Sequence, residues 1–409
     1  MRPREVAVVG AGIVGAATAR ELAVRGVDVL LLDAGEVSGG TTGLGEGNVL
    51  CSDKDAGPEL ELCLRGLELY DELEERLGDA ARIRRKGALI VHVDEATWAA
   101  EPARLERLRA AGVTSRLVPA DEVRELEPQL TGDVCGASVF EADLQCDPRA
   151  IARALVREAA EAGAEVRVHS RVAAIVRGDD GVAGVLLADG ERIEAGAVVV
   201  AAGPWSAALA ESAGLPLPLE PRKGQLVRLA TQGGSDPLTR RRGSDPLIRR
   251  KVVDASYLGS VMSGDAGLQV TTVVETTWDG DVLVGSSRER RGFDTSVDDG
   301  VSEAMVARAA RLFPRLASLP CAAAWAGLRP WLPDHLPAIG PSAAVEGLWL
   351  ATGHEGAGVA LGPGTGRLVA QLYCGEPPLA DPAPFDPGRF ARAPDERHSS
   401  GPAAAERGS

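Results

Sequence analysis

The chain has 409 residues, of which 45% are hydrophobic and 25% are charged, and its 44 basic and 59 acidic residues give a net charge of −15. This length predicts two domains or one large composite domain, and the composition excludes disordered, collagen-like and disulfide-scaffold proteins. The acidic balance argues against nucleic acid as a partner, because a duplex-binding protein needs a basic face.

Signals for membrane insertion and metal binding are weak. No apolar run reaches the ~18 residues that a transmembrane helix needs, so we expect no transmembrane segment. The six cysteines form no C-x-x-C pair and the five histidines form no H-E-x-x-H motif, so we expect no metal site. Reduced cysteines are typical of a cytoplasmic protein, which is the location that we expect.

The chain opens with a strand, a glycine-rich turn, a helix and a second strand. Residues 5–9 are an apolar, β-branched run that predicts a buried strand, residues 16–25 predict a helix, and residues 27–33 predict the next strand. The turn between the first strand and the helix reads Gly10-Ala-Gly12-Ile13-Val14-Gly15. With an acid closing the second strand, this is the fingerprint of a dinucleotide-binding fold.

Each residue of this fingerprint has a physical role. Gly10 allows the tight turn, and Gly12 lets the backbone approach a pyrophosphate at the positive end of the helix dipole. Gly15 lets the helix pack closely on the strand. Asp33 is placed to accept hydrogen bonds from a ribose hydroxyl.

A second glycine-rich loop, residues 38–48, follows the acid and favours FAD over NAD. Such a loop suits close backbone wrapping of an extended dinucleotide that runs past the pyrophosphate towards a large ring. Thr41 and Thr42 lie within it and can donate hydroxyl hydrogen bonds to phosphate. The alternative is a flexible surface loop.

The middle of the chain alternates helices and strands. Helices are predicted at 59–77, 101–111, 119–127 and 298–313, and another begins at Asp147-Pro148, where Asp is a helix cap and Pro a first-turn residue. Strands are predicted at 87–93, 165–169, 197–203, 268–277 and 281–286, with a hairpin over 182–193. Residues 234–242 are repeated almost unchanged as 243–251, which indicates a duplicated loop that is either a solvated segment or a basic partner-binding patch.

These motifs resemble the D-amino-acid oxidase family of FAD-dependent oxidoreductases, which includes glycine oxidase, sarcosine oxidase and the flavin subunits of proline-type dehydrogenases. The resemblance lies in residues 8–15, in Asp33-Ala34-Gly35 and in the Gly-Gly-Thr-Thr loop, and it extends over about residues 4–390. Residues 45–59 are similar to a subgroup near the flavin subunits of hydrogen cyanide synthase and hydroxyproline dehydrogenase.

The resemblance implies an α/β fold with a Rossmann-like FAD-binding domain and a discontinuous α+β substrate domain built on an antiparallel sheet. We expect the FAD-binding domain at 1–86, 145–220 and 325–390, the substrate domain at 87–144 and 221–324, and a disordered tail at 391–409.

The resemblance also implies a set of cofactor-binding residues. In the family, a helix that starts near Gly358 directs its N–H groups at the flavin, where the helix dipole stabilises the charge of the reduced ring. No covalent attachment motif is present, so we expect non-covalent FAD. The predicted contacts are Gly10, Gly12, Ile13, Val14, Gly15, Asp33, Ala34, Thr41, Thr42, Gly47, Asn48, Val172, Ala202, Gly203, Trp205, Gly353, Gly356, Gly358 and Val359.

Arg329, in the motif at residues 325–340, holds the place of the family arginine that clamps the substrate carboxylate. A guanidinium can bind a carboxylate through two parallel hydrogen bonds, although the residue could instead pair with a structural acid. His354 and Glu355 are predicted to face the substrate amine, with a turn-holding role as the alternative, and the same two roles are open for Glu46 in the glycine-rich loop. The family's substrate-binding Tyr is missing from residues 268–277, and Tyr257 is the nearest tyrosine upstream.

The predicted reaction is oxidation of the C–N bond of a small amino or imino acid by hydride transfer to flavin N5, giving an imine. The substrate could be of the glycine, sarcosine, proline or D-amino acid type, and the electron acceptor could be oxygen or a protein. Three alternatives are open: oxidation of a hydroxy acid, a non-enzymatic FAD-binding scaffold, and a flavin subunit that is active only in a complex. The last alternative is compatible with a homo- or hetero-oligomer.

Overall fold

A computed structural model describes residues 4–131, 133–231 and 246–390. The predicted disordered tail at 391–409 and residues 234–245 of the duplicated segment lie outside the described residues.

Helices and strands alternate along the described chain. The α-helices are α1 (Ile13–Ala23), α2 (Thr41–Leu44), α3 (Pro58–Leu77), α4 (Glu95–Ala110), α5 (Ala120–Leu126), α6 (Pro148–Glu161), α7 (Ser206–Ser212), α8 (Ser256–Val261), α9 (Asp299–Leu312) and α10 (Gly358–Cys374). The strands are β1 (Arg4–Val9), β2 (Val29–Leu32), β3 (Asn48–Val49), β4 (Ile83–Arg84), β5 (Ala88–His92), β6 (Arg116–Pro119), β7 (Gly136–Phe140), β8 (Leu144–Cys146), β9 (Glu165–Arg167), β10 (Val172–Arg177), β11 (Val182–Leu187), β12 (Arg192–Val200), β13 (Glu220–Leu229), β14 (Lys251–Asp254), β15 (Gln269–Thr276), β16 (Val282–Arg288), β17 (Cys321–Trp331), β18 (Ala338–Pro341) and β19 (Leu348–Thr352).

The first sheet has a parallel centre. The strands β9, β2, β1, β12 and β19 pair in parallel, and β10 and β11 form an antiparallel meander that leads into the start of β12. β18 adds to β19 as an antiparallel edge. This arrangement confirms the predicted Rossmann-like α/β fold.

The central parallel strands β1 and β2 and the end of β12 are buried on both faces, which explains their continuous apolar sequence. Along β1, Val6 and Val8 pack into a core with α1, α3, α6 and α10, while Ala7 and Val9 pack into a second core on the opposite face. The alternation is the period of two that strand geometry imposes.

The second sheet is mainly antiparallel, as predicted. Its order is β17-β13-β16-β15-β14-β5-β7-β6, and β14 and β5 are its parallel pair within the described residues. α5 and α9 cover one face, where Val123, Met305 and Leu312 join its core. A small sheet of β3, β8 and β4 lies apart from the two larger ones.

Most predicted elements differ from the observed ones by a few residues at their ends. α4 starts at Glu95, earlier than the predicted 101, because the Asp94 carboxylate caps it by accepting a 2.8 Å hydrogen bond from the Thr97 N–H. α1 starts at Ile13 instead of residue 16, so its first turn contains part of the glycine motif. β17 crosses the predicted boundary between residues 324 and 325, and the division into two domains stays a prediction.

Candidate active site

A cavity of about 870 Å³ extends from the β1–α1 turn to β17, and residues of both large sheets line it. All the predicted cofactor and catalytic residues line this cavity except Gly15 and Gly353. The fold therefore brings together motifs that are more than 300 residues apart in the chain.

The β1–α1 turn needs its glycines. Gly10 has φ +108°, and a Cβ there would overlap the carbonyl oxygen of Ala201 on the neighbouring strand end. A Cβ on Gly15 would overlap the Gly10 carbonyl oxygen, so Gly15 serves the packing of helix on strand and lies outside the cavity wall. The start of α1 has no side-chain cap from its N-cap residue Gly12, and it opens on the cavity.

Asp33 lies beside this turn at the end of β2. Its Oδ2 accepts a 2.6 Å hydrogen bond from the Ala11 N–H, and its Oδ1 accepts one of 2.8 Å from the Gly35 N–H. The carboxylate is half-buried and lines the cavity together with Ala34 and Val172. It thus holds the turn and still presents oxygen lone pairs to the cavity.

The two threonines of the glycine-rich loop have different partners. Thr42 Oγ1 accepts a 3.0 Å hydrogen bond from the Ile13 N–H, so the hydroxyl proton of Thr42 can still be donated to a ligand. Thr41 Oγ1 donates to the Leu328 carbonyl oxygen at 2.7 Å. With the 2.9 Å bond from Trp325 Nε1 to the Leu44 carbonyl oxygen, this contact ties α2 to β17.

The end of β12 forms another part of the wall. Ala202 and Gly203 line the cavity, and the Thr352 hydroxyl donates to the Gly203 carbonyl oxygen at 3.2 Å. Trp205 is 50% exposed and its ring stacks on that of Phe293, with centroids 6.0 Å apart. The indole therefore lies at the cavity mouth rather than in its interior.

The start of α10 faces the cavity through Gly356, Gly358 and Val359. This helix also lacks a side-chain cap at its first turn, so its free N–H groups and positive dipole end are directed into the cavity. The Tyr70 hydroxyl holds the turn by donating to the Val359 carbonyl oxygen at 2.8 Å. Gly353 has φ +83° and packs on Leu332 instead of lining the cavity.

His354 is buried behind this helix start. Its Nε2 lies 2.9 Å from Thr365 Oγ1 of α10, and burial lowers the pKa of the imidazole to about 3. The ring is therefore neutral at any working pH and is held by the helix.

Arg329 projects from β17 across Gly224 of β13, where a Cβ would overlap the guanidinium. Its Nη1 donates to the Ser287 carbonyl oxygen at 3.1 Å, and it forms no ion pair with the carboxylates of the described chain. Burial, together with the positive charge of Arg288, lowers the pKa of Arg329 to about 10. The guanidinium is thus still protonated at neutral pH and lacks a carboxylate partner.

Glu355 is bound on both oxygens by other side chains. Its Oε1 lies 2.7 Å from Arg222 Nη1 and its Oε2 lies 3.4 Å from His335 Nδ1. Burial alone would raise the pKa of this carboxyl, but the His335 contact and the charges of Arg288 and Arg222 lower it overall. The residue has φ +46°, a strained conformation of the kind that concentrates at functional sites.

A buried ion pair that sequence reasoning missed adjoins Gly47 and Asn48. Lys251 Nζ lies 2.5 Å from both Glu46 Oε2 and Asn48 Oδ1, and 3.6 Å from Glu275 Oε1. Burial would raise the pKa of Glu46, but the ammonium of Lys251 lowers it. Lys251 is the last residue of the duplicated segment, and nothing local in the sequence marks it as a partner of Glu46.

Tyr257 lies in the cavity, although the sequence left its role open. It is on α8, and its ring faces the guanidinium of Arg288, whose Cζ lies 4.6 Å from the ring centroid. Ser286 and Leu226 also line this end and were missed, because only the long-range pairing of β13, β16 and β17 brings them together.

Comparison with known proteins places this geometry in a family. Residues 5–372 match the family described as FAD dependent oxidoreductase. The glycine oxidase of Pseudomonas aeruginosa is 32% identical over 93% of this chain and 98% of its own length. The hydrogen cyanide synthase subunit HcnC of the same species is 30% identical over 80% of this chain and 72% of its own length. The solved L-proline dehydrogenase of P. horikoshii superposes with a TM-score of 0.84 at 25% identity, covering 95% of this chain and 98% of that one.

The chain belongs to the D-amino-acid oxidase family of FAD-dependent oxidoreductases. It is an enzyme of the amino-acid oxidase kind, as the sequence motifs predicted. Among the helices that the structure describes, none combines the length and the apolar character that a membrane span requires.

Proposed function

We propose that this enzyme holds FAD non-covalently in the cavity and oxidises the C–N bond of a small amino or imino acid to an imine. The observation that carries the proposal is the guanidinium of Arg329, which faces the cavity and has no carboxylate partner among the described residues. A substrate carboxylate would supply that partner through two parallel hydrogen bonds.

The residues present fit FAD. The starts of α1 and α10 open on one cavity, and neither N-cap residue provides a side-chain cap. Apart from the Ile13 N–H, which donates to Thr42 Oγ1, their first-turn N–H groups are offered to an anionic part of the cofactor. At Gly10 the backbone lies so close to Ala201 that no side chain fits, which allows the tight β1–α1 turn beside the cavity. Asp33 is placed for a ribose hydroxyl, and Thr42 for a phosphate oxygen. The remaining predicted contacts in the cavity wall would complete the binding site.

When bound, FAD supplies the hydride acceptor for the reaction. The protein's own task is to orient the substrate, which we assign to Arg329 and, as a neighbouring hydroxyl donor, Tyr257. Fixing the carboxylate at Arg329 limits the positions available to the Cα–H bond, and such positioning supplies much of the rate in reactions of this type. The start of α10 would stabilise negative charge that develops nearby.

His354 and Glu355 contribute differently in this proposal from the role predicted for them at the substrate amine. His354 is neutral and bonded to Thr365, so it ties the segment before α10 to the middle of that helix. Glu355 fixes Arg222 and His335 at the end of the cavity and offsets part of the arginine charge there. Their direct action on the amine stays a prediction.

The test examines the flavin of the purified protein. We expect a yellow protein that releases FAD on mild acid precipitation and whose flavin is bleached under anaerobic conditions by at least one of glycine, sarcosine, proline or a D-amino acid. Flavin that stays on the precipitated protein would contradict non-covalent binding. Bleaching by hydroxy acids and not by amino acids would move the assignment to C–O oxidation, and activity that appears only with a second protein would identify a subunit, as HcnC is by name.

A further inference from the structure

A second guanidinium, that of Arg288, lies at the Arg329 end of the cavity. Arg288 is the last residue of β16 and is only 2% exposed. Its Nη1 donates to Ser260 Oγ at 3.0 Å and to Ser286 Oγ at 3.2 Å, and its Cζ lies 4.6 Å from the centre of the Tyr257 ring. Because Ser286 and Tyr257 both line the cavity, Arg288 stands directly behind its wall.

The acids around Arg288 are closer to other cations. Glu355 Oε1 lies 2.7 Å from Arg222 Nη1 but 3.9 Å from Arg288 Nε. The Arg288 Nε atom is buried and has no hydrogen-bond partner in the described part of the chain.

The other acids of this region are also paired elsewhere. Glu46 pairs with Lys251 at 2.5 Å, and Asp53 pairs with Lys54 at 2.8 Å. Arg329 and Arg288 are therefore two neighbouring cationic groups. Among the described residues, the charge of Glu355 acts on both of them, but this carboxylate lies closer to Arg222.

Burial disfavours the charged guanidinium of Arg288, but Tyr257 and the carboxylate of Glu355 offset this, so the pKa of Arg288 is raised overall and the group stays charged. Its closest carboxylate oxygen is 3.9 Å away, so an anion in the cavity would find a cation that no nearer carboxylate neutralises. Ser286 connects Arg288 to the cavity, because its hydroxyl oxygen accepts the Arg288 N–H and its own proton is free to be donated into the cavity. A carboxylate there would receive a hydrogen bond from Ser286 and the attraction of the guanidinium behind it.

We propose that the substrate carries two carboxylates, one clamped by Arg329 and the other held by Ser286 and the charge of Arg288. This inference rests on the proposed amino-acid function and narrows its substrate class to amino or imino acids with a second carboxylate. Arg288 acts through Ser286 and is a positioning and specificity residue, not a catalytic one.

The experiment is equilibrium binding of unreactive acids to the FAD-loaded enzyme, followed by the change in flavin absorbance. Malonate, succinate and glutarate are compared with acetate, propionate and butyrate, which have the same chain without the second carboxylate. We expect the best dicarboxylate to bind the wild type at least about 10-fold more tightly than its monocarboxylate partner, as a hydrogen bond to a charged group provides.

Variants assign this preference to Arg288. In Arg288→Met the preference should fall to within about 3-fold of unity while monocarboxylate binding stays the same, and Arg288→Lys should retain part of it. The matched control is Arg290→Met, which removes an arginine that pairs with Glu220 and covers Trp331 outside the cavity lining. We expect it to leave both affinities unchanged.

The outcomes separate the two proposals. If monocarboxylates bind as tightly as dicarboxylates to the wild type, the second subsite is wrong and the amino-acid function stands. If Arg288→Met weakens both classes equally, its role is structural and the proposal is overturned. If no carboxylate perturbs the flavin, the proposed function and the subsite both fail. Should Arg288→Met lose FAD, the wild-type ratio and Arg288→Lys still decide the question.

Discussion

At the scale of single residues, the sequence predicted best those side chains whose role depends on a local motif. Asp33 was predicted from its place after the glycine turn, and it lies in the cavity wall. Arg288 and Lys251 were not predicted, because their partners Ser286 and Glu46 are set by strand pairing and loop placement rather than by neighbouring sequence. A buried charge gives no sequence signal until the fold shows what surrounds it.

Replacing Asp33 by Ala removes the carboxylate that lines the cavity and that we propose accepts hydrogen bonds from a ribose hydroxyl. We expect FAD affinity to fall by about 1–3 kcal/mol, the range for loss of hydrogen bonds to a charged group. Asp33→Asn keeps an oxygen that can accept from the Ala11 N–H and should lose less. Titration of the apoprotein with FAD measures both, and an unchanged affinity in Asp33→Ala would reject the ribose assignment.

Asp143 predicts a pH dependence of stability. Its Oδ1 accepts hydrogen bonds from the Cys51 N–H and Sγ, whereas its Oδ2 has no partner among the described residues. Burial raises the pKa of this carboxyl to about 6. Because the folded state binds the proton more tightly than the unfolded state, the stabilisation is complete below pH ~4 and is lost as the pH rises through ~6.

Asp143→Asn keeps the Oδ1 acceptor and cannot ionise. Its free energy of unfolding relative to wild type should therefore rise by about 2 kcal/mol between pH 4 and pH 8. Urea denaturation at the two pH values measures this. The control is Asp55→Asn, at an exposed residue of the loop that contains Cys51. A difference between variant and wild type that does not vary with pH would show that Asp143 is ionised throughout.

At the scale of elements, local patterns were sufficient for the longer helices and for strands β1, β2, β9 and β12, whereas the short helices α2, α7 and α8 and strands β14 and β19 were not predicted. α3, α6 and α9 begin within a residue of their predicted starts, because apolar spacing and Asp caps mark them. The sequence did not show that β13 pairs with β17 across a hundred residues, and this register places Gly224 beneath Arg329. Pairing over that distance depends on the complete sheet and has no local signature.

The β1–α1 turn allows a test of close backbone approach as distinct from backbone strain. Gly10 has φ +108° and no room for a Cβ, whereas Gly26, at the end of α1, has φ +85° and open space around it. Gly26→Ala should cost about 1–2 kcal/mol of unfolding free energy from strain alone. Gly10→Ala should cost more and should also reduce the FAD content of the purified protein.

Thermal unfolding and flavin absorbance of the two variants decide this prediction. Equal losses of stability with full FAD content in both would mean that the end of strand β12 can move away from the turn. FAD binding at the β1–α1 turn would then not depend on a glycine at position 10.

At the scale of the whole molecule, the cavity exists because the nucleotide-binding motifs of the first sheet face the antiparallel second sheet. The contacts of α2 with β17, from Thr41 to Leu328 and from Trp325 to Leu44, join the two. The family resemblance was enough to predict both sheets and most of the cavity lining. It could not predict the arginine-rich end of the cavity, because Arg222, Arg288 and Arg329 lie on three strands that only the assembled sheet brings side by side.

The central claim is that Arg329 binds the substrate carboxylate, and the most direct measurement compares two substrates in one variant. The kcat/KM of wild type and of Arg329→Ala is measured with the best amino or imino acid and with the corresponding amine that lacks the carboxylate at the Arg329 position. We predict that Arg329→Ala retains FAD and loses at least about 100-fold with the amino acid, or about 2.7 kcal/mol of transition-state binding, while Arg329→Lys loses less. The amine should be a poor substrate of wild type and nearly indifferent to the change. Equal losses for both substrates, or loss of FAD from the variant, would contradict the carboxylate clamp.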